Sequence, residues 1–496
     1  MVTGLSTGLT MLFQLVSVPV CLHYWGKTHY GSWLALFSAF MLLRSLDGGY
    51  SNYVGNKLNY LYHQSIGDLR RHLASAAAGI AVVGSLQLLL ATGALFFQPL
   101  ATALGMSGGR AEHFGSAAGL LVLMGSWVTT GSYLGIIHRL QIPAGLMYQA
   151  AWWGMGFQAS QFAAMMISAI LKLDMLGTSM LFALSQVTIY ISSALYVRCK
   201  LPEFFPLRPF FNWPTGLRDL TRSTLLTASN LVQQTTTNGA VLMVAALAGP
   251  VSVPAFTTVR TLMNLWTSVT TVLSSPLLPD VVRIHAKGEA HKLVPINQAF
   301  WVLVGSAVNW GTLLVYPLLP WIFGHWTRHA VPLDSPLLSL MLGSVVVTNA
   351  GALMALHLNG INSLRVVLVA SLARAALGLG VGVVGFRHMG LASFGLGAMA
   401  AEAAAALIIG QHFVKHELRN KGTHMPLAVL GPALVGTCTA AVFFLGSGLG
   451  WWSGTSVWLA ALLGVALASI WGWRDLDPAL QARLLDLPAR LFHRGR

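Results

Sequence analysis

Charged side chains are scarce in this sequence. Only 9 % of its 496 residues are Asp, Glu, Lys or Arg, where a soluble domain carries about a quarter. That scarcity excludes a solvated globular surface. With 55 % hydrophobic residues and a mean hydropathy of +0.67, the chain reads as an all-α polytopic membrane protein. Cysteine is scarcer still: Cys21, Cys199 and Cys438 lie far apart, which indicates neither a disulfide framework nor a metal site. Long polar loops are missing as well. The longest, CKLPEFFPLRPFFNWPTGLRDL at 199–220, leaves no room for a separate soluble domain. There is no P-loop, no GxSxG and no outer loop with paired carboxylates. The 16 His are scattered without metal-ligand spacing, and His357 near an inner span end reads as a packing residue. No cofactor, no metal and no enzyme chemistry is expected.

What is there is a succession of apolar segments. At about 20 residues per crossing, fourteen spans are expected between residues 2–24 and 455–473. The N-terminus lacks the basic region and small-residue cleavage site of a signal peptide, so its first segment reads as a retained span. Basic residues fix the orientation, because Lys and Arg accumulate in short cytoplasmic loops. With the N-terminus inside, 21 of the 29 Lys and Arg fall in inner loops and the tail, and 5 in outer loops. Both termini are therefore expected in the cytoplasm. The net charge of +15 comes from small clusters between spans, which suits a membrane surface and not a nucleic-acid partner. The domains expected are an N-terminal lobe at 1–198 with spans one to six, a cytoplasmic linker at 199–219 and a C-terminal lobe at 220–413 with spans seven to twelve. Two further spans follow at 414–473, then a basic cytoplasmic tail at 474–496. A faint echo supports two lobes: GKTHYGSW from Gly26, then Arg44, parallels GPVSVPAF from Gly249, then Arg260.

Four spans have a polar side. Span two carries Arg44, Asp47, Gly48, Ser51 and Gly55 on one helical face. Span eight repeats the rhythm with Arg260, Asn264, Thr267, Thr271 and Ser274. Span seven has Asn230, Gln233, Gln234, Thr237 and Asn238, and span one has Thr3, Thr7, Thr10, Gln14 and Ser17. Ser and Thr on a span are ordinary packing residues, but amides bring donors and acceptors that must all be met in lipid. Ionisable groups cost more and mark functional cavities. Arg44 and Asp47, three residues apart, could simply neutralise each other. Arg260 and Arg374 have no carboxylate one turn away. Polar faces with apolar backs describe helices lining a wet cavity. With three Arg against Asp47 and Glu402 inside the spans, that cavity is cationic and attracts anions, and Arg offers a fork for phosphate or carboxylate. Gly48 and Gly49 are expected to loosen the helix locally. Glu402 reads either as a coupling group or as a structural partner of Arg374.

The stretch VSVPVCLHYWGKTHYGSWLALFSAFMLLRSLDGGYSNYVGNKL, followed by GDLRRH, resembles the opening of Wzx-type polysaccharide flippases of the multidrug/oligosaccharidyl-lipid/polysaccharide exporter superfamily. The features carrying the resemblance are Gly26 and Tyr30-Gly31 in the first outer hairpin and Asp47-Gly48-Gly49 late in span two. The segment AALAGPVSVPAFTTVRTLMNLWTSVTTVLSSPLLPDVVRIHAKGE, with Pro276 and Pro279, resembles the start of the second lobe. One departure is that relatives often place an Arg before the hairpin Gly, where this chain has His23, Tyr24 and Trp25. The resemblance implies twelve to fourteen helices, here about 14 transmembrane helices by the span count, in two pseudo-symmetric lobes around a central cavity faced by spans one, two, seven and eight.

The activity implied is translocation of an undecaprenyl-diphosphate-linked oligosaccharide, an O-antigen or exopolysaccharide repeat unit, across the bacterial inner membrane by alternating access. Its partners would be that anionic lipid-linked substrate, membrane lipids, and a polysaccharide polymerase or export machinery. The cavity residues expected to hold substrate are Gln14, Arg44, Asp47, Ser51, Asn230, Gln234, Asn238, Arg260, Asn264 and Arg374. The alternatives are a cation-coupled multidrug exporter of the same superfamily, which would want more embedded carboxylates, and a glycan polymerase or ligase, which would want a long catalytic outer loop.

Overall fold

A computed structural model describes residues 2–98, 102, 110–274, 277–361, 363–452, 454–478 and 481–482. Most of the basic tail expected at 474–496, Pro276, and the side chains of Thr3, Thr7 and Pro279 lie outside the described residues. Among the described residues the regular structure is entirely helical. Ten stretches are long and apolar enough to cross a membrane. One of them, Gly8–Tyr62, is broken at Gly26 and so holds the first two expected spans. The other three expected spans fall on Met147–Ile170, on Thr224–Gln234 continued to Ala248, and on Val253–Ser274. Large apolar side chains such as Leu89, Leu184, Val384 and Leu407 point outward, as lipid-facing helices require, because the backbone is satisfied inside each helix.

Helix boundaries follow from a few polar residues. Ser65 caps Ile66–Phe96 by accepting from Asp68 N at 3.2 Å. Asp174 caps Met175–Lys200 at 2.8 Å from Gly177 N, and Asp334 caps Ser335–Gly360 at 2.9 Å from Leu337 N. Each side chain satisfies a backbone N–H that the first helical turn leaves orphaned. Asn212 does the same for the short helix Trp213–Arg222 inside the linker. Gly26 (φ 72°, ψ 175°) and Gly249 (φ 76°, ψ 166°) adopt the same left-handed conformation, which a side chain disfavours. The sequence echo between their two segments is thus also an echo of backbone.

Contacts divide the chain into two units. The first is Met1–Thr258 with Trp326–Pro332, and the second is Val259–His325 with Leu333–Arg496. The division runs through the helix Val253–Ser274 and not through the linker. In the first unit one core gathers Trp33, Phe40, Leu120, Met124 and Phe182, and another gathers Tyr50, Leu58, Leu73, Ile136 and Phe204. The second unit has its own core around Ile284, Phe300, Leu358, Ala405 and Phe413.

The double glycine of span two acts differently from expectation. The helix is unbroken at Gly48 and Gly49, since Gly26 is the residue of non-helical conformation within it. A Cβ on Gly49 would stand 2.1 Å from Thr227 N, and one on Gly48 would stand 3.1 Å from Asn230 Nδ2. These glycines serve close approach of the helix Thr224–Gln234, which brings the amide of Asn230 alongside the charged face of span two.

Candidate functional site

Within the first unit a cavity of about 390 Å³ is lined by Arg44, Asp47, Ser51, Asn52, Trp127, Ser132, His138, Arg139, Tyr190, Asn230 and Gln234, among others. Five of the expected site residues, Arg44, Asp47, Ser51, Asn230 and Gln234, therefore meet at one place. Asn238 is not in the lining but donates to Gln234 Oε1 at 2.6 Å, which leaves the Gln234 amide nitrogen as the end able to donate. Gln14 is not in the lining either, and neither are Arg260, Asn264 and Arg374, which belong to the second unit.

Arg44 and Asp47 do not neutralise each other by an ion pair. Both instead engage Trp127. The guanidinium carbon of Arg44 lies 3.7 Å from the centroid of the Trp127 ring, a cation–π stack. Asp47 is buried to 1 % exposure, and its Oδ2 accepts from Trp127 Nε1 at 3.1 Å and from the Ser132 hydroxyl. A carboxylate so enclosed depends on the two donors at Oδ2, since its Oδ1 has no hydrogen-bond partner among the described residues. The geometry that delivers those donors is a π-turn, Trp127–Gly131, inserted between Arg110–Ser126 and Ser132–His138. Gly131 has no side chain because the Trp127 ring lies across it, 2.3 Å from where a Cβ would be. A second π-turn, Thr235–Gly239, follows Gln234 directly. Such one-residue insertions re-aim side chains and recur at functional sites.

The sequence reading missed Arg139. Counted among inner-loop charges, it instead folds back over Gly55, whose Cβ would fall 2.7 Å from Arg139 Cδ, and donates to Asn52 Oδ1 at 2.6 Å. The signal available in the sequence was the glycine one turn beyond Ser51, which leaves space for a long side chain. His138 beside it shares Nδ1 with Ser193 Oγ and Gln141 Nε2, both at 2.8 Å. Among the described residues neither Arg44 nor Arg139 takes part in an ion pair with a carboxylate, and the pocket's carboxylate is held by Trp127 and Ser132. The lining thus presents two guanidiniums to whatever enters.

Arg374 does have a carboxylate. Its Nε donates to Glu402 Oε1 at 2.9 Å, with both side chains about a quarter exposed. This is the contact that the structural reading of Glu402 expected. The partner lies on the neighbouring helix Ala392–His412, where one-turn spacing along a single helix could not show it. Arg260 is half-buried on Val253–Ser274, and Asn264 one turn on is exposed.

Where the linker meets the helices of the first unit, Asp219 accepts from Lys57 Nζ at 2.8 Å and pairs with His72 Nδ1 at 2.5 Å, at 1 % exposure. Burial pushes this carboxyl up, but the hydrogen bonds and charges of His72 and Lys57 outweigh burial and hold it below the usual carboxylate value. The cluster ties the linker helix Trp213–Arg222 to both neighbouring spans.

No protein-family model matches the chain, and no curated relative matches it. Solved structures do. The chain is similar to the lipid II flippase MurJ in an inward closed conformation, with a TM-score of 0.67 and 12 % identity over 95 % of this chain and 99 % of that one. The fold is that of the MOP-superfamily transporters. An inward-facing multidrug resistance MATE family transporter of that superfamily gives a TM-score of 0.62 at 14 % identity, covering 80 % of this chain and 92 % of that one. A mutant of the Vibrio cholerae MATE transporter VcmN gives 0.53 at 16 % identity, covering 83 % and 94 %. At these identities the likeness is one of fold, and the chemistry must come from the pocket.

Proposed function

We propose that this protein is a flippase of the Wzx type, carrying an undecaprenyl-diphosphate-linked oligosaccharide from the inner to the outer leaflet of a bacterial inner membrane by alternating access, with both termini in the cytoplasm. The observation that carries the reading is the pair of guanidiniums, Arg44 and Arg139, in a pocket whose carboxylate is already held by Trp127 and Ser132. A site with that balance attracts a diphosphate, and each fork is suited to bidentate contact with phosphate oxygens. Asn52, Asn230 and Gln234 supply amides for sugar hydroxyls, and Arg260 and Asn264 serve the substrate at another stage of its passage. Stacking on Trp127 holds Arg44 in place through the face of its guanidinium, and apart from a long contact of one Nη with Met41 Sδ at 4.0 Å its N–H donors are directed to the pocket's ligand. The similarity in fold to a lipid II flippase accords with a lipid-linked cargo.

A cation-coupled drug exporter shares the fold, but an organic cation entering this pocket would meet two guanidiniums and find Asp47 buried. Reconstitution separates the readings. In proteoliposomes the protein is expected to move an undecaprenyl-diphosphate oligosaccharide between leaflets and not to transport ethidium, and the reverse pair of results would overturn the assignment.

A further inference from the structure

We propose that the second unit carries a binding site for a divalent transition-metal ion, Zn²⁺ by its donor set, formed by His285, His357 and Glu417. The three residues are separated by tens of positions in sequence, so no ligand spacing marks them. The fold gathers them from three helix ends: His285 from Leu278–Ala286, His357 from Ser335–Gly360, and Glu417 from the π-turn Phe413–Leu418. One ligand atom from each lies within 4.8 Å of the others. Glu417 Oε2 is 3.0 Å from His285 Nδ1 and 3.4 Å from His357 Nε2. Ligands about 2.1 Å from a tetrahedral zinc stand about 3.4 Å apart, close to both Glu417 distances.

A cation already occupies this meeting point. Lys421 Nζ is 2.8 Å from Glu417 Oε2 and 3.1 Å from His285 Nδ1. Its ammonium uses the lone pairs that a metal would use, and it stands where a fourth ligand or the ion itself belongs. Lys421 is 30 % exposed on its side chain, so it can withdraw to water when an ion arrives. His357 cannot: it is 1 % exposed, and its Nδ1 has no hydrogen-bond partner among the described residues. Phe413 packs edge-on against that ring at 5.3 Å between centroids. The desolvation of this imidazole is therefore offset only through Nε2, the atom aimed at Glu417.

Two imidazole nitrogens with one carboxylate oxygen suit zinc and its first-row neighbours and do not suit magnesium or calcium, which prefer oxygen throughout. A bound ion would join the ends of three helices that now meet through Glu417 Oε2, with Lys421 beside it. Because the site lies in the second unit and uses none of the pocket residues, it stands independently of the flippase reading.

The test is calorimetric titration of ZnCl2 into the full chain in detergent, with Co²⁺ absorption of the wild type as a readout that needs no variant. One equivalent is expected, with visible Co²⁺ bands of a nitrogen-ligated four- or five-coordinate ion. His285→Ala, which touches a third-exposed side chain, should weaken Zn²⁺ binding at least about tenfold, the scale on which metal sites respond to loss of their supporting groups. Lys421→Gln should tighten it by about tenfold or more, because a competing positive charge is removed. A wild type with no stoichiometric Zn²⁺ and featureless Co²⁺ absorption would overturn the site. So would equal affinity in His285→Ala, or a Lys421→Gln variant that binds no more tightly than the wild type.

Discussion

The guanidinium carbon of Arg44 lies over the Trp127 ring, 3.7 Å from its centroid, while the indole N–H of Trp127 donates to Asp47. One aromatic side chain therefore holds both charges of span two, by its face and by its edge. The arrangement keeps a cation and a carboxylate in one pocket without letting them cancel. Trp127→Phe preserves a face for Arg44 and removes the edge donor, leaving Asp47 with Ser132 alone at Oδ2 and, among the described residues, no partner at Oδ1. The expected cost is about 1–3 kcal/mol, read as a lower unfolding midpoint in detergent. An unchanged midpoint would show that the indole N–H contributes nothing to Asp47.

Gly49 should be among the least replaceable residues of span two. A methyl group there would stand 2.1 Å from Thr227 N and 2.2 Å from its Cα, backbone atoms that cannot rotate away. Gly49→Ala is expected to destabilise the protein by about 1–3 kcal/mol, the usual cost of overpacking. Gly125→Ala, where nothing stands within 4 Å, serves as the control and should be neutral or slightly stabilising. Equal thermal midpoints for the two variants would contradict the close crossing.

The Arg374–Glu402 pair should behave as structure. Removing either charge alone strands the other inside a span and should cost about 1–3 kcal/mol, below the range for fully buried pairs because both side chains are partly exposed. Removing both with Arg374→Leu and Glu402→Leu should restore most of that stability and leave export intact. If the double variant is stable yet exports nothing, one of the two charges has a direct role in transport.

Asp219 gives the linker contact a defined acid limit. Its carboxyl is held below the ordinary value by His72 and Lys57 against the opposing effect of burial. A depressed folded value means that the stabilisation is fully present above the unfolded carboxyl value of about 3.9 and is lost as pH falls through the still lower folded value. Detergent-solubilised protein should lose this contribution below about pH 4. Asp219→Asn should be less stable at neutral pH by about 3 kcal/mol, since it leaves Lys57 without its partner, and should lack that acid-dependent component. Parallel curves for wild type and variant from pH 7 to 3 would refute the linkage.

The all-helical fold and the pocket's main charges were legible in the sequence for a physical reason. Apolar runs of fixed length report the membrane directly, and a charge inside such a run is costly enough to be informative by itself. Arg44 and Asp47 stood out on that ground. Arg139 did not, because a basic residue near a span end looks the same whether it faces water or reaches back over a glycine. The Trp127 bridge depends on a π-turn with no compositional mark. The Arg374–Glu402 pair was legible as one of two readings, because an isolated carboxylate on the next span is the natural partner for an embedded Arg, but periodicity along one helix could not choose between them. Gly48 and Gly49 were visible, but a glycine pair reads equally as a place of bending and as a place of contact, and only packing against Thr227 and Asn230 decides between them.

The central claim is that Arg44 and Arg139 hold a diphosphate. Its most direct measurement is the equilibrium binding of an undecaprenyl-diphosphate oligosaccharide to the protein in nanodiscs, compared among wild type, Arg44→Gln, Arg139→Gln and the double variant. Each charged contact removed should cost about 1.5–3 kcal/mol, so each single variant should bind roughly ten- to hundredfold more weakly, and undecaprenol without phosphate should not distinguish the proteins. A folded double variant that binds the diphosphate as tightly as the wild type would contradict the account.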